Sequence, residues 1–140
     1  MTIAEVRDWL KDYIADPKFD YYYTGRIDGT KQRALGVYAH SYSTRPVYAI
    51  GQASSYEING IKLLIHWNDN PKESQEASMA LFSALSRVDG VEHAVGTGQD
   101  RRVINYIQYV DLQCNEPIDV GCDANDICEY VINLNIFSRR

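Results

Sequence analysis

The residues of this chain with chemistry to offer are three histidines, three cysteines and a run of carboxylates near the C-terminal end. His40, His66 and His93 are widely dispersed and match no His-Glu-x-x-His or comparable ligand pattern, so they predict no metal cluster. His66 falls inside an apolar run beside Trp67, which reads as a hydrogen-bonded structural histidine. Cys114, Cys122 and Cys128 are eight and six residues apart, unlike the tight pairs of structural zinc sites. Odd in number and confined to one end, they do not resemble a disulfide framework, and free thiols are expected. Asp119, Asp123, Asp126 and Glu129 are the kind of closely spaced carboxylates that coordinate calcium. The EF-hand pattern fails, because no glycine occupies the sixth position from Asp119 or Asp123; turn-forming aspartates that accept backbone N–H bonds are the reading. Gly96-Thr97-Gly98 precedes a strand rather than a helix start, which makes a poor phosphate cradle. Arg101-Arg102 beside it could grip an anion or a partner carboxylate, or belong to a solvated loop. With no nucleophile-elbow pattern either, the residues predict no enzyme, no cofactor and no resident metal.

The elements that must position these groups are written clearly in places. Thr2 and Glu5 have capping-box spacing, and Ile3, Val6, Leu10, Tyr13 and Ile14 recur at helical intervals, so a helix is expected over residues 3–15, ended by Asp16-Pro17. Residues 21–28 and 34–40 are two β-like runs around Asp28-Gly29, expected as a hairpin with a basic tip at Lys31-Gln32-Arg33. Residues 41–55 have no clean period and read as a long irregular connection, with a short element around 47–50. Asn59-Gly60 predicts a hairpin turn over residues 56–68, since both turn positions favour positive φ. Residues 61–67 carry apolar groups on both faces, the mark of a central strand. Asn70 is then a good N-cap, Pro71 suits the first helical position, and Glu73 completes a capping box for a helix over 71–88. Its face of Ala77, Ala80, Leu81, Ala84, Leu85 and Val88 is suited to close packing on a sheet. Residues 96–102 read as a polar loop, and 103–113 and 127–138 as long strands. The fold class expected is α+β: one domain over 1–140, with one mostly antiparallel (mixed) sheet and two helices on one face.

Composition sets the class. The chain has 140 residues, 45% hydrophobic and 24% charged, which suits one globular domain and excludes disorder over most of its length. Its formal charge of −5, without a Lys/Arg run longer than two, argues against binding nucleic acid through phosphate neutralisation. No apolar stretch approaches a membrane span and the start lacks a leader pattern, so a cytoplasm-like compartment is expected. Tyrosine is over-represented, with 11 copies, which fits β-sheet and partly wet subunit contacts.

Two segments together carry a resemblance. Leu63-Leu-Ile-His-Trp-Asn68 with the acidic, alanine-rich helix after it, and Glu116-Pro-Ile-Asp-Val-Gly121 continuing through Asp123, Asn125 and Glu129 to Ile132, resemble the minor capsid proteins of siphophages and prophages of Gram-positive bacteria. That family is similar in turn to tail terminator proteins. The likeness spans residues 61–140, and Tyr23-x-Gly25-x-Ile27-Asp28 with Gly36-Val37-Tyr38 extends it toward the N-terminus. It departs at Cys122, where a small hydroxyl residue is expected.

The resemblance implies a tail-terminator-like fold and a structural virion role in the tail or neck, assembled in the host bacterial cytoplasm. Its expected partners are copies of itself in a ring, commonly a hexamer, the major tail tube protein and the head-closure or connector protein. DNA would pass through the lumen without specific binding, and no membrane is involved. Expected exposure and charge single out Arg26, Lys31, Arg33, Tyr48, Asp119 and Asp123 as oligomer or docking residues. Two other readings remain open: a different head-tail connector (head-closure or neck) component, and a small metal-binding or enzymatic α+β domain.

Overall fold

The computed structural model describes residues 1–40, 45–48 and 54–139, with 45–48 and 54–56 described through their backbone alone. Helix α1 covers Ile3–Tyr13 and α2 covers Pro71–Ser86. The strands are β1 (Tyr21–Thr24), β2 (Ala34–Ala39), β3 (Arg45–Tyr48), β4 (Ser54–His66), β5 (Asp89–Val95), β6 (Arg102–Leu112), β7 (Ile118–Cys122) and β8 (Cys128–Arg139), with a short 3-10 turn at Gly98–Asp100. They form one mixed sheet in the order β1-β2-β4-β8-β6-β5, with β3 paired to β4 and β7 paired to β8. The chain is therefore α+β.

Both helices begin at side-chain caps. Thr2 Oγ1 accepts from the Glu5 N–H while the Glu5 carboxylate accepts from the Thr2 N–H, and the reciprocal bonds satisfy two backbone donors that the first turn would leave open. Asn70 Oδ1 accepts from the N–H groups of Lys72 and Glu73, with Pro71 at the first helical position. Glu73 does not close a box there: its carboxylate accepts from the Asn68 side chain, whose own oxygen accepts from the Asn70 N–H. Asn68 thus stands between the end of β4 and the start of α2.

The two long strands β4 and β8 make the spine. They run antiparallel from Glu57↔Ser138 to His66↔Glu129. Ile61, Leu63 and Ile65 of β4 fall opposite Leu134, Ile132 and Tyr130 of β8, so strand alternation brings all six to one face. That face joins Leu35 and Val37 of β2, Ile107 of β6, Val6, Trp9 and Leu10 of α1, and Leu81 and Leu85 of α2 in one buried cluster. Burying side chains of this size is worth about 1.5–3 kcal/mol each before entropy is counted.

Several expectations from sequence are corrected. Asn59-Gly60 is not a turn. Strand β4 runs straight through it, with Asn59 buried opposite Ile136 and its amide reaching Ser138 Oγ, because pairing with β8 from Glu57 to His66 outweighs a local turn preference. The start of β4 pairs antiparallel with β3, and residues 49–53 lie outside the described set. Residues 21–40 do not form a hairpin either: β1 and β2 pair in parallel, Tyr21↔Ala34 to Thr24↔Val37. The polar loop expected over residues 96–102 is present up to Arg101, but Asp89-Gly90, read only as the end of the helix, opens strand β5, since Gly90, at φ +63°, lets the chain leave α2 and enter a strand at once. The segment read as an aspartate-rich turn contains strand β7, and Cys122 and Cys128 are joined as a disulfide across the β7–β8 pair rather than free. Cys114 is a free, exposed thiol.

Candidate functional site

His66 is the last residue of β4 and sits at the meeting point of three chain segments. Its side chain is 1% exposed. Nδ1 lies 2.7 Å from the Lys31 carbonyl oxygen in the β1–β2 connection, and Nε2 lies 2.8 Å from Asp123 Oδ2 in the β7–β8 turn. Both ring nitrogens are therefore engaged by groups of the chain itself.

The Asp123 carboxylate organises its turn at the same time. Its Oδ1 accepts from the N–H groups of Asn125 and Ile127, at 2.9 and 3.0 Å, as expected of a turn-forming aspartate. Burial pushes the Asp123 carboxyl up, but the hydrogen bonds from His66, Ile127 and Asn125 and the nearby imidazole outweigh it and hold the group below its ordinary value. Glu129, opposite His66 in the strand pair, goes the other way: burial raises it, His66 lowers it less, and the Asp123 charge adds to the rise. Asn125 then clamps the turn to the β1–β2 connection by donating to the Gly29 carbonyl at 2.8 Å. In that connection Asp28 accepts from the hydroxyl and N–H of Thr30, which hold its carboxyl low.

Between these segments lies an open cavity of about 500 Å³ lined by Arg26, Ile27, Tyr38, Leu64, His66, Asp123 and Glu129, with Gly25 and Gly29 at its edge. Of the residues singled out from sequence, Arg26 and Asp123 line it. Lys31 contributes its carbonyl to His66 and places its ammonium over the Tyr21 ring, 5.5 Å from the centroid. Arg33, at φ +52°, stacks its guanidinium over Trp67 at 5.4 Å and donates its N–H to the Trp67 carbonyl, so it is a clamp between β2 and the end of β4. Asp119 lies apart in β7, where its carboxylate accepts from the Gly121 N–H. Tyr48 belongs to β3, and its side chain lies outside the described residues.

His66 and Glu129 are the members of this cluster that charge and exposure arguments passed over. The residue types gave one signal, a histidine at a strand end and a carboxylate at a strand start, but their pairing depends on the β4–β8 register. His93 is elsewhere, buried in β5 with neither ring nitrogen hydrogen-bonded. Among the described residues no group of three or more His, Cys, Asp and Glu side chains is arranged to hold a metal ion, and no helix is long and apolar enough to cross a membrane.

A second concave surface lies at the other side of β8. It is a groove of about 530 Å³ between α2 and β7, lined by Gln75, Met79, residues 114–117, Ile118, Asp119 and Tyr130. Met79 and Ile118 are 40% and 39% exposed, and Val120 beside them 52%, while every residue of β7 is exposed. These exposed apolar side chains lie on a short outer strand and on the helix beside it.

No family model and no curated protein matches this sequence.

Proposed function

We propose that the chain is a structural virion protein of a tailed phage or prophage, a tail terminator or minor capsid protein that closes the tail tube as a homo-oligomeric ring and offers the surface on which the head docks. It acts by assembly and not by catalysis. The observation that carries this reading is how the two family-like segments meet. Residues 63–68 end in His66, residues 116–132 contain Asp123 and Glu129, and the two are bound to each other by the His66–Asp123 hydrogen bond and by the reciprocal backbone bonds Trp67 N–H to Cys128 O and Cys128 N–H to Asn68 O. The resemblance therefore falls on one continuous structural unit, β4, the start of α2, and the β7–β8 pair, and not on scattered pieces. Two features support assembly over chemistry. The histidine in this unit is spent on holding loops together, and three exposed apolar side chains, Ile118 and Val120 of the outer strand β7 and Met79 of α2, belong to this part of the fold.

The test is reconstitution. Purified chain added to tail tubes assembled from the major tail protein is expected to appear as a ring at one end of each tube and to stop further growth, seen by electron microscopy. Binding to filled heads and never to tubes would replace the terminator reading with that of a head-closure or neck component. Stoichiometric zinc or calcium in the purified chain, measured by elemental analysis, would revive the metal-binding reading.

A further inference from the structure

We propose that the groove between α2 and β7 is the seat for the corner Arg101-Arg102-Val103 of a second copy of this chain, joined by pairing of two free strand edges. The proposal rests on the reading of the chain as a ring-forming protein and names the contact that would build the ring. Three features of the groove describe its occupant. Among its lining residues the charged ones are Glu116 and Asp119, both acidic, so the occupant is cationic. Met79 and Ile118 are exposed apolar side chains at its wall, so the occupant also carries an apolar group. Strand β7 is paired with β8 on one side, and among the described residues nothing pairs with the other, so the occupant can add as a strand.

The start of β6 supplies all three. Arg101 and Arg102 are exposed, and Val103 is 46% exposed. The nearest carboxylate to Arg101 is Glu92 at 3.9 Å, with both side chains more than half exposed, a pair that exchanges partners at little cost. Arg102 and Val103 pair with Val95 and Ala94 of β5 on one side, whereas the pairing of β6 with β8 begins only at Tyr106, which leaves the other backbone edge open here among the described residues.

The geometry excludes self-insertion. The groove adjoins Tyr130 near the start of β8, and the arginine corner lies past Arg139 at its end, a separation of roughly 30 Å or more along an extended strand. The corner of one copy therefore meets the groove of the next. Two different surfaces are used, so the contact is heterologous and propagates until it closes.

Cys114, exposed and lining the groove, makes the contact directly testable. In full-length V103C, mild oxidation is expected to give a ladder of dimers, trimers and larger species on non-reducing gels. Wild-type chain, with Cys114 alone, stops at dimers. Charge reversal tests the complementarity. E116K/D119K and R101E/R102E are each expected to weaken self-association by roughly tenfold or more, measured by native mass spectrometry or light scattering. Mixing the two variants restores it, because each then meets an opposite charge. Wild-type chain that stays monomeric at every concentration, a V103C sample with no species beyond those of wild type, or a mixture no more associated than its components overturns the proposal. These arms need no tail tubes. Assembly that follows the charges without capping tubes keeps this contact and removes the terminator role, and capping that ignores the charges does the reverse.

Discussion

His66 and Asp123 are separated by 57 positions in sequence and by 2.8 Å in space. The bond ties the end of β4 to the β7–β8 turn, and the same ring ties both to the β1–β2 connection through the Lys31 carbonyl. Three segments that would otherwise be independent loops share one buried side chain.

Removing the carboxylate should expose that dependence. D123A leaves a buried histidine nitrogen without its acceptor and frees the N–H groups of Asn125 and Ile127, a cost of about 2–3 kcal/mol. Urea denaturation of D123A against wild type measures it. A loss below the error of the extrapolation would mean that the turn holds itself.

The pH dependence has a definite sign. A carboxyl held lower in the folded chain than in the unfolded one contributes stability above its unfolded value, about pH 4, and loses it as the pH falls through the lowered folded value. Asp123 and Asp28 are both of this kind. Wild-type stability should fall through the acid range, and the gap between wild type and D123A should narrow as it does. Denaturation midpoints collected at several pH values between neutral and acid decide this; a gap of constant size contradicts it.

Glu129 predicts the opposite behaviour at the same place. Its folded carboxyl is raised by burial, so its favourable contribution exists below the unfolded value and is lost as the pH rises through the raised one. At neutral pH the ionised group costs stability. E129Q is expected to gain on the order of 0.5 kcal/mol at pH 7, with the gain vanishing in acid. Thermal melts of both proteins at the two pH values check it, and a loss at pH 7 would mean that the carboxylate is needed where it stands.

Two glycines of the β5–β6 connection separate conformational strain from collision. Gly98 has φ +59° and open space where a Cβ would go, so G98A should cost about 1 kcal/mol. Gly96 has φ +82°, and a Cβ there would run into the backbone carbonyl of Asp100, so G96A should cost clearly more. Equal losses in the two variants, by chemical denaturation, would show that the connection relaxes freely.

The disulfide between Cys122 and Cys128 closes a short loop at the end of the β7–β8 pair. By loop entropy, reduction or C122S should lower stability by about 2 kcal/mol. The comparison is a melt with and without reductant; C122S should be insensitive to reductant, which separates this loop from any effect at Cys114.

What the sequence conveyed and what it withheld divide along physical lines. The caps at Thr2 and Asn70 depend on neighbours a few positions away, and both helices begin where those residues say. Asn59-Gly60 is an equally strong local signal, yet it is overruled, because strand pairing is decided by residues dozens of positions distant. The direction of β1 against β2 is likewise invisible in two β-like runs. At the candidate site, the individual readings of His66 as a bonded histidine and Asp123 as a turn aspartate agree with the structure. That they bond to each other follows from the β4–β8 register, which no local pattern encodes. Strand β7 was hidden because carboxylates and glycine punctuate it.

The arrangement around the two spine strands resembles staggered masonry. Along one side of β4, β2 ends at its pairing with Ile61 and β3 begins at its pairing with Ile58. Along the far side of β8, β6 ends at its pairing with Leu134 and β7 begins at its pairing with Val131. Through the β4–β8 register, Ile58 lies level with Phe137 and Ile61 with Leu134, whereas Val131 lies level with Leu64, so the two joints are offset. A crack opening at either joint runs into unbroken backbone on the next course. Asn59-Gly60, which looked like the place where the chain folds back, is the brick laid across one of those joints, and a part that must bear tension along its strands would give way there last.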